Sequence, residues 1–226
     1  MTGTPTAAQA ADSPIDILLV DSRQLVRAGI ERLLTDSGYL AVGAGVSGFD
    51  EAIRHARTRA PQLVLVNLPG AAIDVLDGVR KMRRQFALMR LLVLIEESDL
   101  IVQERLLQVG VDGIVNSNCA VPELFTAIDS VLGGERYVSN SLAQKLAQRR
   151  MPGRSVTPFD RLTHRELQIL LLVAAGRPAA AIARELCLTR KTVNSYRNRL
   201  LDKLQANTDV ELMHMALRHG LLRIPG

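Results

Sequence analysis

Three side chains in one stretch of this chain have the chemistry to read base edges: Asn194, Ser195 and Asn198, at i, i+1 and i+4 within TRKTVNSYRNRLLDKL, residues 189–204. Amides and hydroxyls bond base edges in a major groove, and cations beside them bond phosphates. Arg190, Lys191, Arg197, Arg199 and Lys203 supply the cations, and the Thr192 hydroxyl is a further phosphate donor. Val193, Tyr196, Leu200 and Leu204 recur at helical spacing, so the stretch predicts a helix with one inward face. Thr189 suits the N-cap, where its hydroxyl accepts from a free backbone N–H. A solvated charged face on an ordinary surface helix has the same composition, and the flanking elements decide between the two.

Upstream, Leu162-Thr163-His164-Arg165-Glu166 reads as a helix start in which Thr163 and Glu166 are spaced as a capping box. Leu167, Leu170, Leu171 and Ala174 give that helix an apolar stripe, and Gly176 suits its end. A short helix is expected over 179–187 with Ile182, Ala183 and Leu186 inward, and Leu188 and Thr189 turn into the reading helix. A loop over 205–208 leads to a last helix over 209–219. Four short helices with a central helix-turn-helix fit in this one segment. The charge has the same address. The chain has 226 residues, which favours two domains, and a formal net charge of +5. Residues 155–226 hold 11 Lys/Arg against 6 Asp/Glu, while the first 154 hold 17 of each. The basic excess therefore belongs to the C-terminal segment, in agreement with a nucleic-acid footprint there.

The front of the chain has a different rhythm. Residues 1–14 carry no periodic pattern and read as a disordered tail. Apolar strands are expected over 17–20, 41–44, 63–66, 91–94 and 113–115, alternating with helices over 23–35, 49–57, 100–109 and 123–132 and one more between the third and fourth strands. Strands that are apolar throughout and alternate with helices imply a parallel sheet covered on both faces. Five such units match a flavodoxin-like α/β order, 2-1-3-4-5. A linker over 139–160 follows, with a short helix over 141–150 and a flexible stretch over 151–158. Its cations, Lys145, Arg149, Arg150 and Arg154, read as solvated, as do Arg80, Lys81, Arg83 and Arg84 on the third helix.

Other classes find little support. No nucleophile triad, metal-ligand spacing or phosphate-cradling Gly loop suggests an enzyme or a cofactor. Cys119 is placed in a loop as a candidate exposed thiol, and Cys187 at a helix end that a small core residue would fill; a disulfide between them is not expected. No apolar run reaches membrane-spanning length, and a cytoplasmic protein is expected.

Residues 162–222 closely resemble the LuxR-type DNA-binding domain of NarL/FixJ response regulators. The shared features are LT-x-RE at the start, G-x(5)-IA in the middle, KTV, the KL that closes the reading helix and the final G-LL; TVNSYRNRLLDKL is most similar to the BvgA/EvgA branch. Pro178 departs from the pattern, standing where a capping Ser is common. Residues 15–138 resemble the receiver domain of the same regulators, most strongly in LLVDSRQLVRAGIERLL. The resemblance implies an α/β receiver followed by an all-α helix-turn-helix domain over 161–226. It also implies binding to double-stranded DNA at inverted or direct half-sites, and pairing of the last helices through Leu212, Met213, Ala216 and Leu217. A homodimer is the expected form, and RNA polymerase is a candidate partner.

Such a receiver takes a phosphoryl group on an Asp at the end of its third strand, with Mg²⁺ held by two acids after the first strand. Here the first acidic position holds Asp21 but the second holds Ser22, and the acceptor position is Asn67. The Thr/Ser, aromatic and Lys positions are Ile95, Ile114 and Ser117. An amide cannot form an acyl phosphate as a carboxylate does, and Mg²⁺ prefers anionic oxygen ligands. The expectation is a degenerate receiver that does not switch by Asp phosphorylation, with Asp21 a leftover surface acid. The alternatives are a module that heterodimerises with another regulator, or one switched by a ligand in the altered pocket.

Overall fold

The computed structural model describes residues 15–37, 40–42, 45–67, 72–95, 100–149, 157–219 and 221–222. The expected tail over 1–14 and most of the expected flexible stretch lie outside these residues, as do Arg150, Arg154 and the loop after Asn67.

Six parallel strands form one sheet: β1 (Ile15–Val20), β2 (Leu40–Val42), β3 (Leu63–Val66), β4 (Arg90–Ile95), β5 (Gly113–Asn116) and β6 (Tyr137–Val138), in the order β2-β1-β3-β4-β5-β6. The five-strand order is as expected. The short β6, pairing Ile114 with Val138, adds an edge that two residues gave no periodicity to reveal. Helices α1 (Gln24–Asp36), α2 (Phe49–Arg59), α3 (Ala72–Gln85), α4 (Leu100–Val109) and α5 (Val121–Leu132) connect the strands.

Successive strand residues point to opposite faces, and here both sets are apolar. Ile17, Leu19, Leu63, Leu65, Leu92 and Leu94 pack with Leu34 of α1 and with Leu124, Ile128 and Val131 of α5. Leu18, Val20, Val64, Val66, Leu91 and Val93 face the other way, onto α2, α3 and α4 through Ile53, Leu76, Val79, Val102 and Leu106. Each such side chain, removed from water, contributes about 1.5–3 kcal/mol.

Gly78 fixes the approach of α2 to α3. A Cβ there would lie 1.9 Å from the Phe49 ring. In an open helix Gly→Ala stabilises by about 1 kcal/mol, but overpacking a core costs about 1–3 kcal/mol, and a ring held between two helices cannot step aside. Gly78→Ala should therefore lower the urea midpoint with an unchanged slope of stability against urea.

The C-terminal helices are α6 (Asn140–Arg149), α7 (His164–Ala174), α8 (Ala179–Glu185), α9 (Arg190–Leu204) and α10 (Asp209–Arg218). The end of the expected linker is ordered: Pro158–Arg161 is a 3₁₀ turn with a Thr157/Asp160 capping box. Phe159, fully buried, anchors it with its ring edge-on to His219 at 5.3 Å. Helix α7 was expected to bury one stripe, yet every residue from Glu166 to Ala174 is buried. Its second face lies against the sheet domain. His164 Nε2–H donates to Asp77 of α3 at 2.6 Å, the Gln168 amide donates to the same carboxylate, and Arg105 of α4 donates to the Leu162 carbonyl at 2.7 Å.

Two of these cations, Arg83 and Arg149, are not solvated as expected, whereas Lys81 and Arg84 are exposed. Arg83 donates to the carbonyls of Ala87, Met89 and Gly110 and pairs with Asp112 at 2.7 Å. Arg149 pairs with Asp160 and lies 3.5 Å from Glu104. Both meet acceptors brought to them by tertiary position, which local charge runs do not reveal.

Candidate nucleic-acid interface and receiver pocket

Helix α9 starts where its cap requires. Thr189 has extended backbone, and its hydroxyl accepts from the Thr192 N–H at 3.1 Å. The helix stops at Gln205, which turns left-handed at φ 53°. Val193, Leu200 and Leu204 are buried against α7 and α8, and Tyr196 is half-buried. The inward face is thus as the spacing predicted. Asn194, Ser195 and Asn198 are all exposed on the outer side. The Ser195 hydroxyl donates to the Lys191 carbonyl at 3.0 Å, leaving its oxygen able to accept.

The flanking cations divide. Arg190 and Lys191 are exposed at the helix start, and Arg199 lies over the Tyr196 ring at 5.3 Å. The Thr192 hydroxyl is bonded to that of Thr189 at 2.9 Å. Two of the expected phosphate contacts are engaged within the domain. Arg197 is turned to Asp209 of α10, Nε to Oδ1 at 2.5 Å. Lys203 is turned to Glu166 of α7, with 2.8 Å to each carboxylate oxygen. Both pair with carboxylates of a neighbouring helix while staying partly exposed, at 42% and 41%.

Glu166 is 3% exposed and closes the expected capping box, accepting from the Thr163 N–H at 2.8 Å and the Thr163 hydroxyl at 3.0 Å. Burial alone would push its carboxyl up, but hydrogen bonds from Lys203 and Thr163 together outweigh this and hold it below the usual carboxylate range. The junction of α7 and α9 is thus an ionic joint.

Helix α10 also departs from expectation. Leu212 and Ala216 are fully buried against the domain's own core and offer nothing to a second copy. Met213 and Leu217 are half-buried, and Val210 is 57% exposed, so 210, 213 and 217 form an outer apolar stripe. The exposed thiol is Cys187, at φ 53°, and not Cys119. Burial, with Glu123 nearby, pushes the Cys119 thiol up, away from thiolate reactivity.

The receiver pocket sits at the C-terminal ends of β1, β3, β4 and β5, the usual ligand edge of such a sheet. Asp21 is 0% exposed, so it is no surface acid. It accepts from Arg23 three times: the backbone N–H at 2.8 Å, Nε at 3.1 Å and Nη2 at 2.9 Å. It also accepts from Asn67 Nδ2 at 2.7 Å. A carboxylate only accepts, so the Asn67 amide must turn its nitrogen inward. Arg27 grips the Asp21 carbonyl at 2.6 Å. Ser22 is exposed and turned from this network. Ile95 and Ser117 are half-buried neighbours, the Ser117 N–H donating to the Ile95 carbonyl at 3.1 Å, and Ile114 is buried in the core.

These residues do not fit the Mg²⁺ that the receiver fold implies. Among the described residues of the pocket Asp21 is the one carboxylate, and its oxygens accept from three side-chain nitrogens, Arg23 Nε, Arg23 Nη2 and Asn67 Nδ2. Among the described residues no group of three His, Cys, Asp or Glu could hold a metal, and no helix is long and apolar enough to cross a membrane. Sequence reasoning found Asp21 and Asn67 but missed Arg23, for which the signal was an Arg two residues after the acid at the start of α1.

Comparison with known proteins agrees with both halves. Residues 17–129 match the response regulator receiver domain, and residues 160–216 match the bacterial regulatory proteins of the luxR family. Response regulator UvrY of Escherichia coli (strain K12) is 38% identical over 209 residues, covering 92% of this chain and 95% of the relative. Response regulator GacA of Pseudomonas aeruginosa is 36% identical over 210 residues, covering 92% and 98%. Among solved structures, an RcsB response regulator from Salmonella typhimurium superposes with a TM-score of 0.71 at 19% identity, covering 92% of this chain and 98% of that one. An RcsB–DNA complex superposes at 0.57 with 20% identity, covering 91% and 98%. At such identities the structural likeness shows the fold alone.

Proposed function

The chain belongs to the NarL/FixJ-type response regulators, DNA-binding transcription regulators in which a receiver precedes a LuxR-type helix-turn-helix, and on that premise we propose that it regulates as a dimer without phosphorylation of its receiver. The observation that carries this is the Asn67 amide, at the acceptor position, donating to a buried Asp21. Neither group is a free nucleophile, and the Asp21 carboxylate is paired with Arg23 and hydrogen-bonded by Arg23 and Asn67. The domain division is 1–14 tail, 15–138 receiver, 139–160 linker and 161–226 helix-turn-helix.

The exposed trio Asn194, Ser195 and Asn198 reads bases, while Arg190, Lys191 and Arg199 hold phosphates. Two copies pair through the outer stripe of α10, Val210, Met213 and Leu217, in place of the buried Leu212 and Ala216. Half-sites then lie about one helical turn apart. Linkage matters because a single small domain makes few contacts, and a tethered second one binds at high effective concentration. The ligand-switched alternative is disfavoured because Arg23 and Asn67 already satisfy the buried acid that a pocket ligand would have to engage.

Retardation of genomic fragments by full-length protein tests the reading. A fragment retained at salt concentrations that release bulk competitor DNA, by a complex of two protein copies, is the expected result. Retention of all fragments alike, or of none while a second regulator is captured, would favour the heterodimerising module instead.

A further inference from the structure

We propose that Arg23 is this receiver's built-in cation, occupying with its guanidinium the space between the ends of β1 and β3 and so closing the pocket to divalent metal. The assignment rests on the phosphorylation-independent reading above but makes a separate claim, that one side chain of α1 enforces it.

The geometry is a fork on a carboxylate. Nε lies 3.1 Å from one Asp21 oxygen and Nη2 2.9 Å from the other, the two-point match that a planar guanidinium makes and an ammonium does not. Nη2 also reaches across to the Asn67 carbonyl at 3.5 Å, bridging the two strand ends. Arg23 is the N-cap residue of α1, with extended backbone, and its side chain turns back to Asp21. One turn later Arg27 takes the Asp21 carbonyl. The start of α1 therefore wraps the end of β1 with two guanidinium groups.

The charge balance follows. Asp21 contributes one negative charge, Arg23 one positive, and Asn67 and Ser22 none. A metal carrying two positive charges would enter beside a fixed cation, facing the Asp21 carboxylate, whose oxygens are already engaged. It would have to displace the guanidinium and shed water, with no further carboxylate among the described pocket residues to receive it. Restoring acids elsewhere in the pocket would not by itself reopen it, because the guanidinium would pair with them too.

The test uses full-length protein in which acids are restored at both neutral positions, Ser22→Asp with Asn67→Asp. This variant is compared with the same protein also carrying Arg23→Gln or Arg23→Ala, and Mg²⁺ alone is titrated by calorimetry at constant ionic strength. Removing the guanidinium by either substitution should tighten Mg²⁺ binding at least tenfold. Far-UV circular dichroism identifies any variant that has lost its fold, and Arg23→Gln, which keeps a polar side chain with an amide donor, keeps the comparison if Arg23→Ala unfolds. Equal Mg²⁺ affinity with and without Arg23 would overturn the proposal. It would leave the prediction that the wild-type protein is indifferent to phosphodonors, a separate measurement, untouched.

Discussion

Glu166→Ala is expected to destabilise the helix-turn-helix domain by about 2–3 kcal/mol, the largest stability effect of any single polar side chain in it. The change removes the carboxylate that accepts from the Thr163 N–H and hydroxyl and from Lys203. Hydrogen bonds to charged groups contribute about 1.5–3 kcal/mol, and a lost cap leaves an orphan donor at the start of α7. The ion pair adds only part of its nominal strength, since Lys203 is 41% exposed and solvent screens it. Glu166→Gln keeps an acceptor for Thr163 and should cost less. The pH dependence has a definite sign. Glu166 titrates lower folded than unfolded, so its contribution is present above the ordinary glutamate pKa of about 4.3. It is lost as pH falls through the folded value. Thermal melts of wild type and Glu166→Gln should converge in acid and separate towards neutrality. Lys203→Ala belongs to the same joint: it should lower the melting temperature and leave the salt dependence of DNA binding nearly unchanged.

Asn198→Ala is expected to reduce affinity for a specific site by about 1–3 kcal/mol, while affinity for random DNA stays the same. The side chain is exposed at the centre of the outer face of α9, where an amide can make two bonds to one base edge. Arg190→Ala and Lys191→Ala should behave differently. Each should weaken binding to all sequences and reduce the slope of log affinity against log salt by about 1. Equal losses on specific and random DNA for Asn198→Ala would refute the division between base and phosphate contacts. Titrations at two salt concentrations on one specific and one scrambled duplex separate these outcomes.

Much of this was legible because the signals are local. The Thr189 cap, the Thr163/Glu166 box and the inward row Val193, Leu200 and Leu204 depend on residues within a few turns of one another. The doubly wound sheet announced itself through strands apolar on both faces. The substitution at Asn67 was equally plain, because its position at a strand end is set by the chain order. What escaped was decided by residues far apart. Glu166 and Lys203 meet across 37 positions, and nothing at Lys203 marks it as structural rather than phosphate-binding. Asp77 lies 87 positions before His164, so the packing of α7 against the sheet domain had no sequence signal. On α10, Leu212, Met213, Ala216 and Leu217 span one broad apolar arc, and helical spacing cannot divide its inner from its outer half. Only Val210, exposed beyond that arc, shows where the outer stripe runs. Asp21 was misjudged because its burial follows from Arg23 folding back over it.

The measurement that bears most directly on the central claim is DNA binding by full-length protein purified from a host lacking kinases, with and without a small phosphodonor and Mg²⁺. Intact mass and oligomeric state are recorded on the same samples. Dimeric binding of equal affinity in both conditions, with no added phosphate mass, is the result expected of a receiver whose acceptor position is Asn67. Binding that arises only with the phosphodonor, together with the mass of one phosphoryl group, would mean that another residue accepts it and that the pocket still switches.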